Sequence, residues 1–300
     1  MRLVFMGTPP FAQIVLATLL ERHFDIVALF TQPSKPFGRA KTLKPSATRL
    51  FLQHAYPKIP IFEPAKLDAL VLEQMCALKP DVIVVVAYGK ILPQALLDIA
   101  PCVNLHASIL PQFRGASPMQ EMILKDTPEF GVSVIAMNAQ MDAGDILGIA
   151  RVKKERYMNI EELAHLLAPL GAQALIEVLS KPFKPIPQDH SQASYCAKIT
   201  KQDGLVDFLD AKKVFLTSLA YYTWPGVFLS SGLKLFGVEL VQEQGAHAPG
   251  SILALEDESV IVGCAHGVLK IAHLQAPSKQ KMGAKTYLLG RRLGVGSVLT

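Results

Sequence analysis

The sequence predicts an α/β domain built on an open, mostly parallel, Rossmann-like sheet, followed by a small OB-like β-barrel. Three observations point there. Through residues 2–179, short apolar β-branched runs alternate with stretches of helical periodicity, the pattern of strands joined by crossover helices. Within them, Asp81 to Tyr88 is nearly unbroken Val and Ile, as in a strand covered on both faces. Beyond Leu179 the pattern changes to three prolines (Pro182, Pro185 and Pro187), then short strands punctuated by Gly226, Gly232, Gly250 and Gly267.

Taken in order, Arg2 to Met6 reads as a strand, Gly7-Thr8-Pro9-Pro10 as a turn, and Phe11, Ile14, Val15, Thr18 and Leu19 as one face of a helix. Asp25 to Thr31 is a second strand. Leu67 to Leu78 is helical, with Leu67, Leu70, Val71, Met75 and Leu78 on one side, and Pro101 to His106 is another buried strand. Phe130 to Met137 and Asp145 to Lys153 read as neighbouring strands, and Ile160 to Leu179 as a long closing helix. Lys181 to Pro187 is expected to form an extended, unpaired connector. The predicted division is therefore a first domain over 1–180, a linker over 181–202 and a second domain over 203–300. The second domain should hold a helix near Ala211 to Tyr222 and strands at Val227 to Leu229, Leu233 to Leu240, Ser251 to Ala254, Val260 to Gly263 and Val268 to Leu274. Such a barrel would suit a nucleic-acid-facing module.

Composition narrows the function class. Half the residues are hydrophobic and 18% are charged, which excludes a disordered chain. The stretch before Gly7 is too interrupted for a signal peptide, and no segment is expected to supply the roughly 18 apolar residues of a membrane span. A cytoplasmic, monomeric protein with no membrane partner is the expectation. Cys76, Cys102, Cys196 and Cys264 are widely spaced, so neither a disulfide framework nor a metal site is suggested, and buried, inert thiols are the default. The net charge is only +5, yet Thr31 to Arg49 carries Lys35, Arg39, Lys41, Lys44 and Arg49 without an acid, and Lys270 to Thr300 is likewise basic. Two such segments fit a polyanion's footprint or, equally, two solvated faces.

Phosphate-loop, nucleophile-elbow and His-Glu-x-x-His patterns are absent, and Pro9 and Pro10 remove the N–H donors that a pyrophosphate cradle uses. What remains is a polar pair. Asn104 and His106 lie two apart on a strand and so share a face near its carboxyl end, where ligand crevices of open α/β sheets form. By pattern alone the pair also reads as a strand-end cap with a surface histidine. Asp142 in Asp142-Ala143-Gly144 can equally be a turn residue, with Asp145 a competing carboxylate.

The combined motifs decide between these readings. Val103-Asn104-Leu105-His106-Ala107-Ser108-Ile109-Leu110-Pro111 with Arg114-Gly115-Ala116-Ser117-Pro118, then Gly131-Val132-Ser133-Val134 and Met141-Asp142-Ala143-Gly144-Asp145, resemble the signature of the folate-dependent formyltransferase family. Phe5-Met6-Gly7-Thr8-Pro9, Thr31-Gln32-Pro33 with Gly38-Arg39, Val85 to Pro93, and Trp224-Pro225-Gly226 are similar to the members that act on methionyl-tRNA. Ile109, where leucine is usual, and Gln112-Phe113, where a basic residue and tryptophan are common, depart mildly from the pattern.

The resemblance implies transfer of a formyl group from 10-formyltetrahydrofolate to the α-amine of methionyl initiator tRNA, without a metal. It assigns catalysis to Asn104 and His106 as donors to the developing oxyanion and to Asp142 as orienter and proton acceptor. It further implies a folate site drawing on Val86, Tyr88, Gly89, Leu92, Ser108, Ile109, Leu110 and Pro111, with the pterin between the segment from Val86 to Leu92 and the loop from Asn138 to Asp142. The tRNA contacts would come from Lys35, Arg39, Lys41 and Lys44. A formyltransferase acting on a purine ribotide or amino sugar, and a noncatalytic RNA-binding protein, are the alternatives that the basic loop and the intact polar triad oppose.

Overall fold

The computed structural model describes residues 1–37 and 42–300, grouped in two compact units. The first comprises Met1–Pro118, Pro128–Lys154 and Ala164–Ala197; the second comprises Met119–Thr127, Glu155–Leu163 and Lys198–Thr300.

The chain runs β1 (Arg2–Gly7), α1 (Pro10–Glu21), β2 (Asp25–Phe30), β3 (Lys35–Phe37), β4 (Thr42–Lys44), α2 (Ala47–Ala55), β5 (Ile61–Phe62), α3 (Ala69–Ala77), β6 (Val82–Val86), α4 (Gln94–Leu97) and β7 (Cys102–His106). It continues through β8 (Arg114–Gly115), α5 (Pro118–Leu124), β9 (Glu129–Ala136), β10 (Ile146–Lys153), α6 (Ile160–Leu179) and β11 (Tyr195–Cys196). Pro10 opens α1, where its missing N–H would have had no intrahelical acceptor anyway. The helix at Ala47, unmarked by hydrophobic periodicity, starts on Ser46, whose hydroxyl accepts from the Arg49 N–H at 3.2 Å.

The main sheet has the order β10-β9-β7-β6-β1-β2-β5. The five strands from β7 to β5 are parallel, whereas β9 pairs antiparallel with β7 and β10 antiparallel with β9. Strand order proceeds one way from β1 through β2 to β5 and the other way from β6 to β7, so the topology switches between β1 and β6. In an open sheet of this kind the crevice lies outside the carboxyl ends at that point. Every side chain of β6 is buried, as its Val/Ile run requires, and each contributes about 1.5 to 3 kcal/mol of apolar burial.

Three expectations need correction. The helix α6 is 20 residues long and apolar enough by composition to cross a membrane, contrary to the reading that no segment comes close. It is instead a core helix: Leu163, Leu167, Ala168, Ala172 and Leu175 are fully buried, and Gly171 lies where a Cβ would come within 2.7 Å of Leu105 Cδ2 on β7. Second, the connector is neither free nor unpaired. Ile186 exchanges two main-chain hydrogen bonds with Ile146, and β11 pairs parallel with β8. Prolines remove donors from a few positions only; the residues after Pro187 keep theirs and use them. Third, Cys102, Cys196 and Cys264 are buried as expected, but Cys76 on α3 is exposed.

The second unit contains α7 (Ala211–Ala220), β12 (Val227–Phe228), β13 (Lys234–Gln242), β14 (Ser251–Glu256), β15 (Ser259–Gly263), β16 (Val268–Gln275), β17 (Met282–Gly283) and α8 (Ala284–Leu289). Its sheet is antiparallel in the order β12-β13-β16-β15-β14, with β17 also on β16. Val238, Val260, Val262, Leu269, Ile271 and Leu274 form part of its core, with Val214 of α7 and Leu288 of α8. The short strands and glycine turns thus read correctly. Among the described residues no ladder joins β14 back to β12, so these strands form an antiparallel sheet that hydrogen bonds do not close into a barrel.

Candidate active site

Asn104 and His106 project from the last residues of β7, in register with Ile135 and Ser133 of β9. Between them Leu105 turns to the opposite face and is buried beneath α6. Both polar side chains converge on one carboxylate. Asn104 Nδ2 donates to Asp142 Oδ1 at 3.3 Å, and His106 Nδ1 stands 3.5 Å from the same oxygen. The other oxygen, Oδ2, accepts from the Gly115 N–H at 2.9 Å. Asp142 holds φ +51°, a conformation that aspartate tolerates better than most residues. Asp145, the competing carboxylate, instead gives its main-chain carbonyl to the Ala136 N–H at 2.9 Å, extending the β9 edge.

His106 is 6% exposed, and its Nε2 lies 2.9 Å from the Phe113 carbonyl. Both ring neighbours are therefore acceptors. A cationic ring donates to both, and a neutral ring to one at a time. Neither nitrogen is left directed at an oxyanion in this arrangement, whereas Asn104 Nδ2 keeps a second hydrogen. Sequence reasoning did not foresee Phe113 as a partner, because a main-chain carbonyl carries no signal in the residue type.

Known proteins match the whole of this framework. Residues 1–179 match the formyl transferase family and residues 198–292 the formyl transferase C-terminal domain. A methionyl-tRNA formyltransferase of Helicobacter acinonychis is 50% identical over 304 residues, covering 100% of both chains. The chain belongs to the methionyl-tRNA formyltransferase family. It is a formyl-transferring enzyme. Two solved structures share the fold: HypX from Aquifex aeolicus in complex with tetrahydrofolic acid has a TM-score of 0.68 and 20% identity, covering 96% of this chain and 47% of that one. Methionyl-tRNA formyltransferase from Clostridium thermocellum has a TM-score of 0.58 and 17% identity, covering 80% and 93%.

The folate positions expected from the family fall into two groups. Gly89, Ile109 and Pro111 reach the surface to some degree, but Val86, Tyr88, Leu92, Ser108 and Leu110 are buried. Tyr88 packs in the core with Met6, Phe30 and Leu96, and burial pushes its phenol up to about 12. Ser108 and Leu110 are tied to β9 through Ser133, whose hydroxyl donates to the Ser108 carbonyl at 2.8 Å and accepts from the Leu110 N–H at 3.0 Å. Each of those five buried residues exposes at most 5% of its surface, main chain included. The accessible apolar side chains on the two flanking segments are Ile91 and Met141, 76% and 59% exposed.

On the other side of the switch point lies an open cleft of about 700 Å³. It is lined by Thr8, Pro9, Gln32, Lys35, Lys44 and Phe51 among others, and none of the polar triad lines it. Thr8 Oγ1 and Gln32 Nε2 both donate to the Tyr88 carbonyl, at 3.2 and 3.1 Å, linking the ends of β1 and β2 to the segment after β6. Lys35 and Lys44 face each other across the β3–β4 pair. Arg39 and Lys41 lie outside the described residues. Lys90 is committed elsewhere: its ammonium donates to the Pro64 and Ala65 carbonyls at 2.6 Å each, and desolvation, then the charge of Lys35, lowers its pKa. Among the described residues no group of three or more His, Cys, Asp and Glu side chains is arranged to hold a metal ion.

Proposed function

We propose that this chain transfers the formyl group of 10-formyltetrahydrofolate to the α-amine of methionyl initiator tRNA, in the cytoplasm. The observation that carries this reading is one carboxylate, Asp142, in contact with both Asn104 and His106 at the carboxyl edge of the sheet beside its switch point. That is a preorganised polar site for acyl transfer to an amine. Half-identical relatives of matching length carry the same name, which supports methionyl-tRNA as the acceptor.

In this mechanism the amine nitrogen adds to the formyl carbon as the C=O bond opens to an oxyanion, and the bond from that carbon to the folate nitrogen breaks when the tetrahedral species collapses. Asn104 directs its second amide hydrogen at the oxygen that becomes negative, a contact that stabilises the tetrahedral species by about 2.7 to 4 kcal/mol. The His106–Asp142 pair takes the proton released by the amine and returns one to the departing folate nitrogen. With both ring nitrogens facing acceptors, Asp142 is the member of the pair that meets the amine's proton, and His106 reaches the oxyanion only by releasing the Phe113 carbonyl. Ile91 and Met141 are the apolar side chains available to flank a pterin ring, and Gly89, Ile109 and Pro111 its accessible neighbours. Lys35 and Lys44 beside the cleft, with Arg39 and Lys41, would receive the phosphates of the acceptor arm.

The test offers 10-formyltetrahydrofolate together with methionyl initiator tRNA, free methionine or glycinamide ribotide, and measures which amine is formylated. Rapid formylation of the tRNA alone is expected; preference for either small amine would overturn the proposal.

A further inference from the structure

The connector between the two family-matched regions belongs to neither of them, since the matches end at residue 179 and resume at residue 198. Yet it supplies Gln188, a side chain only 5% exposed, to the site. Gln188 Nε2 donates to two main-chain carbonyls of the Asp142 loop, that of Asp142 at 2.9 Å and that of Gly144 at 2.6 Å. Its Oε1 accepts from Arg114 Nε at 3.1 Å and Nη2 at 2.6 Å. Arg114 is 3% exposed and turns Nη2 also to His190 Nδ1 at 3.1 Å. A carboxamide alone meets this demand, because it offers an acceptor at one end and two hydrogens at the other. Glutamate would face two carbonyls with a carboxylate, and lysine would have no acceptor for the guanidinium.

Further along, the same segment holds the second partner of His106. Ser194 Oγ accepts from the Phe113 N–H at 2.9 Å, and the Ser194 carbonyl accepts from the Arg114 N–H at 2.8 Å. Phe113 sits at φ +59° with its carbonyl on His106 Nε2. Both acceptors that orient the imidazole are therefore fastened by the connector: Asp142 through Gln188, and the Phe113 carbonyl through Ser194.

We infer that the connector is a strap that positions the His106–Asp142 pair, with Gln188 the positioning residue that holds Asp142 in its left-handed conformation. This rests on the reading of Asp142 as catalytic. Gln188 touches no reacting atom; it acts through the carbonyls it holds. A displacement of about 1 Å at a catalytic group costs on the order of a hundredfold in rate.

The test measures kcat, KM for each substrate and thermal midpoint for Gln188→Glu and Gln188→Met, alone and combined with Asp142→Asn. Gln188→Glu keeps an acceptor for the buried Arg114 and so guards against a merely unfolded variant. A kcat lowered about a hundredfold at KM values within about twofold is expected for both. No further loss is expected when either is added to Asp142→Asn, because the residue it positions is already disabled. Near-normal kcat in Gln188→Glu beside a crippled Asp142→Asn would overturn the strap alone. So would losses that multiply in the double variant, or losses confined to KM. Normal turnover in Asp142→Asn by itself would instead remove the catalytic reading, and the inference with it.

Discussion

Strand β7 and the connector both reach Asp142, by different physical means. Strand β7 is locked on both sides by main-chain ladders and covered by α6, so Asn104 and His106 inherit their positions from a framework that cannot shift without breaking the sheet. The connector owes its place to scattered contacts: Ile186 paired with Ile146, Gln188 on two carbonyls, Arg114 on Gln188, Ser194 on Phe113, and a two-residue pairing at Tyr195 and Cys196. A strand tolerates the loss of any one contact. In the connector, each contact holds a separate part of the site.

The largest effect expected is on the shared carboxylate. Asp142→Asn should lower kcat about 10²- to 10⁴-fold while the thermal midpoint stays within a few degrees, because the substitution is isosteric; steady-state kinetics with wild-type turnover would refute the role. Next comes Gly115, whose N–H binds Asp142 and whose φ is +120°. An added Cβ there would collide with the Cys196 carbonyl, so Gly115→Ala should destabilise by about 1 to 3 kcal/mol and lower kcat as the connector lifts. Denaturant melts that match the wild type would show that the seating is softer than described.

A smaller effect belongs to the cleft, away from both regions. Lys35→Ala with Lys44→Ala should raise KM for tRNA by about tenfold at low salt and leave KM for folate unchanged; equal changes in both would place these lysines elsewhere. The smallest effect compares the two regions through their thiols. Cys102 opens β7 and Cys196 sits in the connector, and both are buried. A thiol reagent should modify Cys76 at once, Cys196 slowly on local opening, and Cys102 only on global unfolding. Cys102 reacting before Cys196 would invert the proposed order of rigidity. Burial also pushes the Cys102 thiol from 9.0 up to about 12. The folded protein therefore keeps that proton while the unfolded chain loses it, and stability should fall as pH rises through that window. A midpoint independent of pH there would contradict it.

The main strands and the closing helix were legible because periodicity and β-branched runs are local properties. The short pieces Arg114–Gly115 and Tyr195–Cys196 were not, since a two-residue pairing leaves no pattern. At the site, Asn104 and His106 could be placed on one face from their spacing. Asp142 could not be told from a turn residue until its oxygens were found on Asn104, His106 and Gly115. Nothing local marks Gln188: it follows a run of prolines that reads as an exposed tether, and its partners lie 44 to 74 residues away in sequence.

By itself, then, the sequence determined the alternation of strands and helices, the antiparallel second domain, the face shared by Asn104 and His106, and the family. Tertiary structure alone decided which carboxylate meets that pair, that both nitrogens of His106 face acceptors, that an open cleft lies beyond β1, and that the connector is seated in the site. Periodicity is written into neighbouring residues, whereas a hydrogen bond between a connector amide and a distant loop exists only once the chain has folded.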